Sequence, residues 1–365
     1  MIKLIRQFVL PHFGIDATEA KISALGNGHI NETLLVRWPT GELVLQRINT
    51  QVFKTPQALV SNADKISHHL CAKALQQQYG LKVVSPCLTK EGELALDLGE
   101  QGFWRAISYL PHSHSIEVVK SEKEAEMAAK AFGHFASALS DFDATQLEDV
   151  IPQFHHLPGR MALLKQAVEL DSQHRLAFCR HWVDYALSQQ ALLDELAEIS
   201  PKLPLRICHN DTKINNMLFD KRDMSSMAII DLDTCMKGHL MYDFGDMVRT
   251  FCSPEAEDST ALENVKVRQS IFAAICRGYL SELGNVLTEV EKRSLWLGAR
   301  VICLMIGMRF LTDYLNGDVY FHIHREGHNL DRAANQFTLY QSLLDQDVAL
   351  KACFELNPLS AVEHS

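Results

Sequence analysis

Residues 205–249 read LRICHNDTKINNMLFDKRDMSSMAIIDLDTCMKGHLMYDFGDMVR and gather groups able to do chemistry. An apolar run ends at His209-Asn210-Asp211, Asn216 follows, and a second run, Met227–Ile230, ends at Asp231-Leu232-Asp233. Acidic groups at strand ends beside an asparagine suit phosphoryl transfer. That reaction needs a carboxylate to orient the attacking hydroxyl and take its proton. It also needs oxygen ligands that hold Mg²⁺ against nucleotide phosphates. Asn and Asp are common turn formers, but five specified positions in a strand–loop–strand–strand setting ask for more than turn chemistry.

The spacing H-x-D-x-x-x-x-N is that of a kinase catalytic loop, and Asp231 stands where the metal-binding aspartate is expected. With its HxDxxxxN loop and IDxD element, the segment resembles the aminoglycoside phosphotransferase and choline kinase-like superfamily. The resemblance implies Asp211 as catalytic base and Asn216 and Asp231 as Mg²⁺ ligands. Asp233 becomes a supporting acid or a second-metal ligand, and His209 a residue that fixes the loop. Lys213 is placed either to meet the γ-phosphate or to sit in solvent as a loop lysine. The letters DFG at Asp243–Gly245 fall too far beyond Asn216 to supply the metal aspartate. Asp243 is expected instead to N-cap a helix, with Asp246 adding charge in its first turn.

At the nucleotide end, Leu25-Gly-Asn-Gly-His-Ile-Asn31 joins two expected strands. Gly26 and Gly28 let the backbone approach phosphates, with Asn31 closing the turn, although two glycines also suit a plain hairpin. The strand Glu42–Ile48 is where a kinase carries its phosphate-binding lysine, and here Gln46 and Arg47 stand in its place. Strand alternation sends the two to opposite faces, and Arg47 is the expected phosphate partner. The helix glutamate that would pair with the lysine is missing, leaving Asn62 or Asp64 to replace it. Ser108-Tyr109-Leu110-Pro111 is the expected hinge, whose backbone at Tyr109 would pair with adenine; the alternative is a plain interlobe connection.

At the acceptor end, Arg309 leaves the apolar run Val301–Met308, followed by Tyr320 and Phe321. An arginine emerging from such a helix is usually paired or snorkelling, and it also suits sugar hydroxyls. Taken with GNGHIN, VLQRIN, WRAISY, HNDTKINN, IDLDT, DFGD and RFLTDYLNGDVYF, this is similar to the N-acetylhexosamine 1-kinase subgroup over almost the whole chain. That similarity implies ATP- and Mg²⁺-dependent phosphorylation of the anomeric hydroxyl of N-acetylglucosamine or N-acetylgalactosamine, with Asp211, Arg309 and Tyr320 touching the sugar. Another small-alcohol kinase, for an amino alcohol, homoserine or an aminoglycoside, is the alternative within the same chemistry. A nucleotide-binding pseudokinase is the alternative outside it.

The elements that must position these groups fall into two parts. Short β-favouring runs at 22–25, 33–38 and 42–48, a helix from Pro56 to about Tyr79, and strands at 82–89, 93–98 and 103–110 precede Pro111. Long helices follow, at about 122–139, 160–172, 175–199, 260–283, 287–316 and 331–347, interrupted by strands within 205–233. Ser121 and Glu124 read as a capping box. The expected fold is α+β, bilobal and protein-kinase-like. A small antiparallel-sheet N-lobe over 1–110 binds nucleotide, and a large, mostly helical C-lobe over 111–365 is catalytic and holds the acceptor. The length of 365 residues suits two such parts.

With 45 acidic residues against 35 basic ones, the net charge is −10, which argues against broad nucleic-acid or membrane-surface binding. Nine cysteines without a CxxC pair, several in apolar runs, read as buried free thiols in a reducing compartment. The N-terminus reads as an amphipathic helix rather than a signal peptide, so a cytoplasmic location is expected. Oligomeric state is left open.

Overall fold

The computed structural model describes residues 1–26 and 30–355. Along the chain run α1 (Ile2–Leu4), β1 (Lys21–Ala24), β2 (Glu32–Trp38), β3 (Gly41–Ile48), α2 (Pro56–Leu75), β4 (Pro86–Cys87), β5 (Leu96–Asp97), β6 (Phe103–Ser108) and β7 (Ser113–His114). Then come α3 (Glu122–Ala138), α4 (Leu157–Leu170), α5 (Leu176–Leu187), α6 (Gln190–Ile199), β8 (Arg206–Cys208), β9 (Met217–Asp220), β10 (Ser226–Ile229) and β11 (Met236–Gly238). The last five helices are α7 (Leu240–Phe251), α8 (Gln269–Leu283), α9 (Glu289–Leu315), α10 (His328–Asp345) and α11 (Asp347–Glu355).

Two compact units result. The first comprises Met1–His114, Asp141–Pro152 and Leu218–Lys237; the second comprises Ser115–Ser140, Gln153–Met217 and the chain from Gly238 onward. The sequence reads as one boundary near residue 110, whereas two later segments cluster with the N-terminal part. The architecture is the α+β, protein-kinase-like one, an N-terminal antiparallel sheet followed by a mostly helical region.

The first unit is built on a sheet ordered β1-β2-β3-β6-β4, with β5 also pairing β6. Its register sets Leu34 opposite Leu45 and Leu45 opposite Ala106, so these share one face. That face packs with Val36, Leu43 and Trp104 against Ile5, Val9, Leu10 and Ile15 from the N-terminal segment. One residue along, Thr33, Gln46 and Arg105 line up on the opposite face. The expected strands at 82–89 and 93–98 shrink to two residues each. Pro86 has no N–H to extend a ladder, and Gly92 turns the chain with a φ of +85°.

Two helix expectations also change. The 175–199 helix is α5 and α6, because Ser188 Oγ and Gln189 Nε2 both donate to the Tyr185 carbonyl at 2.7 and 3.1 Å. Ser121 Oγ does accept from Glu124 N (3.2 Å), but the Glu124 carboxylate takes the Lys120 N–H (2.7 Å) rather than that of Ser121. The complete reciprocal box lies at the start of α9, between Thr288 and Glu291.

In the second unit, α9 is the central core helix. By length and composition it could cross a membrane, yet 78% of its most apolar stretch is buried inside the protein. It meets α7 backbone to backbone. A Cβ at Gly298 would strike the Met241 carbonyl, and one at Gly245 would strike the Gly298 carbonyl. Alanine normally favours a helix over glycine by about 1 kcal/mol. Here the steric conflict is with backbone, which cannot swing aside, and overpacking of this kind costs about 1–3 kcal/mol. Gly298→Ala is therefore expected to lower unfolding stability by about 2 kcal/mol in urea titration. A midpoint at or above that of the unchanged protein would contradict the close crossing.

Candidate functional site

The catalytic-loop expectation concerns the second unit, where β8 runs into the loop 209–216. His209 is fully buried, its ring edge-on to Phe132 and Phe135 with centroids 5.4 and 5.7 Å away. Asn210 takes a left-handed φ of 64°, which turns the chain sharply. One buried carboxylate holds this bend. Asp243 accepts from the backbone N–H of His209 (2.8 Å) and of Asn210 (2.7 Å), while the Asp243 carbonyl accepts from Thr212 Oγ1 (2.6 Å). The capping expectation for Asp243 is thus corrected. His239 occupies the N-cap position of α7, and Asp243 serves the loop rather than its own helix.

So held, the loop presents Asp211. Its N–H donates to His209 Nδ1 (3.3 Å), and Asn216 Nδ2 donates to both the Asp211 carbonyl and its Oδ2, each at 2.8 Å. Lys213 Nζ lies 2.8 Å from Asp211 Oδ1. Burial works to raise the Asp211 carboxyl, but Lys213, His209 and Asn216 outweigh it and hold it below the usual range. Asp211 is consequently ionised, as a proton acceptor must be. Burial works against the Lys213 charge too, yet Asp211 outweighs it and Lys213 stays a cation.

The charge of Lys213 is also felt by a group that the sequence pattern did not single out. Arg249 is buried, donates to Asp246 (2.8 Å) and pairs with Glu257. The same unit holds the acceptor-end residues. Arg309 has its guanidinium 5.2 Å from the Phe154 ring, 5.7 Å from Tyr320 and 5.4 Å from Phe321. No carboxylate pairs with it among the described residues. Burial lowers Arg309 to about 10, with the Tyr320 hydroxyl opposing and Arg160 adding to the fall. His155, its ring tilted against that of Tyr242 with centroids 4.8 Å apart, is held neutral by burial and then by Arg309 and Arg160, at about 3. Tyr320 is half exposed. Arg160 and His155 were missed because nothing in their local sequence marks them; His155 lies in the turn before α4, and Arg160, in the first turn of that helix, donates back to the Phe154 carbonyl (3.2 Å).

In the first unit, the strand-end aspartates differ from each other. Asp231 is exposed and holds a left-handed φ of 63°. Asp233 is buried, and both of its oxygens are occupied: Asn31 Nδ2 donates to Oδ2 (2.5 Å) and Arg105 Nη2 to Oδ1. Of the two expectations for Asp233, a supporting acid or a second-metal ligand, this ion pair suits the supporting acid. The Arg47 expectation is corrected. Arg47 shares the face of Leu45 and Trp104 and lies over the Trp104 ring (5.9 Å), while the cation beside Asp233 is Arg105. Gln46 supports it, accepting from Arg105 Nε (2.9 Å) and donating to Thr33 Oγ1 (3.1 Å). The clue was cross-strand: Gln46 is directly opposite Arg105. Asn62 and Asp64 do not substitute for the missing glutamate. Asn62 binds the backbone of Glu148 and Cys235, and Asp64 faces His68.

Of the remaining nucleotide-end residues, Gly26 turns the chain after β1 with a φ of +70°, and Gly28 lies outside the described residues. Asn31 also accepts from Asn49 N (2.8 Å). Tyr109 follows β6, its ring under Arg37 (5.5 Å). Of the residues expected to hold Mg²⁺, Asn216 in the second unit uses its amide nitrogen on Asp211, which leaves an amide oxygen, and Asp231 in the first unit is an exposed carboxylate. Among the described residues no group of three or more His, Cys, Asp or Glu is arranged as a metal cage. Mg²⁺ in nucleotide sites typically takes one or two carboxylates plus phosphate and water, so such a cage is not required.

Burial raises the Asp243 carboxyl to about 7, with the two N–H donors only partly opposing it. The folded chain therefore holds an extra proton between the unfolded value of 3.8 and about 7. Stability from this group is fully present below the lower value and lost as pH rises through the upper one. The stability difference between the protein and Asp243→Asn is expected to change across pH 4–7 and level off above it, by urea unfolding. A difference independent of pH would contradict it.

The chain is similar in fold to a microcompartment-associated aminopropanol kinase (TM-score 0.59, 15% identity, 95% of this chain and 98% of that one). It is similar to choline kinase from Cryptosporidium parvum (0.56, 12% identity, 98% and 99%). A spectinomycin phosphotransferase, solved with ADP and spectinomycin, gives 0.56 at 13% identity over 96% and 97%. At these identities the likeness concerns the fold. The model of the phosphotransferase enzyme family (APH) matches residues 21–280, which takes in the sheet, the catalytic loop and α7. With that match over most of its length, this chain belongs to the phosphotransferase enzyme family.

Proposed function

We propose that the protein transfers the γ-phosphoryl group of ATP to the anomeric hydroxyl of an N-acetylhexosamine, giving the sugar 1-phosphate and ADP. The observation that carries this reading is the environment of Arg309, a cation ringed by Phe154, Tyr320 and Phe321 in the unit that also holds Asp211. Arg160 adds a second positive charge to its surroundings. A choline- or aminoglycoside-like cation would be repelled there, whereas hydroxyl and acetamido oxygens can accept from the guanidinium, and a sugar face can pack on the rings.

Asp211 orients the anomeric O–H and takes its proton as the oxygen bonds to the γ-phosphorus. The bond from that phosphorus to the bridging oxygen breaks, and ADP departs with the electron pair. An anomeric hydroxyl is more acidic than an ordinary alcohol, so a carboxylate held low in pKa suffices as base. Lys213 can leave Asp211 for the phosphoryl oxygens and offset their charge. Asn216 and Asp231 are assigned to Mg²⁺, which neutralises phosphate charge when bound, while Gly26, Asn31 and Tyr109 are assigned to the nucleotide end.

The reading is tested by ADP release over N-acetylhexosamines, hexoses, choline, homoserine and kanamycin, with phosphorus NMR locating the new phosphate. Turnover confined to amino alcohols would overturn it. Asp211→Asn is expected to retain nucleotide binding and lose about 10³-fold or more in kcat, within the usual contribution of a general base. Arg309→Ala is expected to raise the sugar KM about tenfold or more while leaving the ATP KM near its original value. Equal shifts in both constants would make Arg309 a packing residue.

A further inference from the structure

The segment that follows α9 is tied down in an unusual way. After Leu315 the chain reverses through Gly317 (φ +96°) and Asp318 (φ +61°), and the Asp318 N–H returns to the Asp313 carbonyl at 2.8 Å. The Asp313 side chain, 4% exposed, then collects three successive backbone donors. Its Oδ1 accepts from Val319 N (3.0 Å) and Tyr320 N (2.8 Å), and its Oδ2 accepts from Phe321 N (2.9 Å). Asn329, fully buried at the start of α10, completes the set by donating Nδ2 to Asp313 Oδ2 (2.9 Å) and to Asp318 Oδ1 (2.9 Å). Arg175 pairs with the other Asp318 oxygen.

We infer that Asp313 is a positioning residue for acceptor binding, acting through the backbone of Tyr320 and Phe321, the two loop residues whose rings enclose Arg309. The inference rests on the reading of Arg309 and Tyr320 as the acceptor end. A helix-terminating aspartate could serve the turn alone by binding the residues just after the helix. Asp313 reaches further, to the segment that carries both rings. Val319 is 79% exposed and Tyr320 53% exposed, so their side chains gain little from burial and cannot fix the segment themselves. Hydrogen bonds to a charged, buried acceptor are among the stronger ones and are directional. They hold the Tyr320 backbone in place, and the rings then follow: Tyr320 meets Phe321 edge-on at 4.8 Å, and Phe321 packs on Phe310 at 4.6 Å. Displacements of about 1 Å in such a site reduce productive binding strongly.

The experiment compares Asp313→Asn, Tyr320→Phe, their double variant and Arg309→Ala, using N-acetylglucosamine and ATP as substrates and thermal unfolding as the control. The expected result is an N-acetylglucosamine KM raised about tenfold in Asp313→Asn, with the ATP KM within about twofold of the unchanged protein. The double variant is expected to exceed Tyr320→Phe by much less than the product of the two single effects, because Asp313 acts through that residue. Should Asp313→Asn fail to fold, Asn329→Ala removes one donor to the same carboxylate and is expected to shift the sugar KM by a few fold in the same direction. If Arg309→Ala and Tyr320→Phe raise the sugar KM while Asp313→Asn (or Asn329→Ala in its place) alters only the melting temperature, the positioning role is overturned and the acceptor reading stands. If neither Arg309→Ala nor Tyr320→Phe moves that KM, or N-acetylglucosamine is not turned over, the acceptor reading falls, and this inference with it.

Discussion

The geometry around Asp211 depends on two hydrogen bonds, from the backbone of His209 and Asn210 to the buried carboxylate of Asp243. A loop that leaves a strand through a left-handed asparagine has no ladder to support it, and its N–H groups would be unsatisfied in the interior. Asp243 satisfies both. It can do so because α7 lies tightly against α9, where Gly245 and Gly298 bring the helix backbones together. Helix crossing, buried carboxylate, loop bend and reactive carboxylate form one chain of dependence, and each link is a contact within the same unit.

The N-terminal unit solves a different electrostatic problem. The strand position expected to carry lysine holds Gln46, and on the neighbouring helix Asn62 is taken up by the backbone of Glu148 and Cys235. Charge balance is recovered inside the sheet, where Arg105 on the neighbouring strand pairs with Asp233 and Gln46 steadies its guanidinium. The arrangement exchanges a sheet-to-helix ion pair for a sheet-to-strand-end one. Both members are buried, so either alone would leave an uncompensated charge in the interior.

Much of this was legible in the sequence because it is local. Period-two and period-3.6 patterns gave the central strands and the long helices, and the spacing from His209 to Asp233 marked the loop and the strand ends. What escaped depends on partners distant in the chain. Alternation showed that Gln46 and Arg47 face opposite ways, but choosing between the faces required the packing of Leu45 and Trp104 on the N-terminal segment. Asp233 read as a supporting acid or a second-metal ligand, and the placing of Asn31 and Arg105 on its oxygens suits the first. Asp243 has the spacing of a helix cap, and only the fold brings the loop 209–210 to its carboxylate. His155 and Arg160 carry no motif at all. Even the capping box at Ser121 was half right, since a side chain that can reach one N–H can reach its neighbour.

Gly298 and Arg309 stand eleven residues apart on α9, about three turns, and so on one stripe of the helix. The contact that seats α7 therefore also sets the rotation of α9 and the direction in which Arg309 leaves it. Such a helix is poor ground for evolutionary tinkering with substrate range, since turning or sliding it would disturb the Asp243 contact as well. The segment 319–321 is different: its side chains project from a backbone held through its own N–H groups, and those bonds do not depend on side-chain identity. Under the proposed acceptor reading, divergence in acceptor preference is channelled to that short stretch, where new side chains can be tried on an unchanged mount.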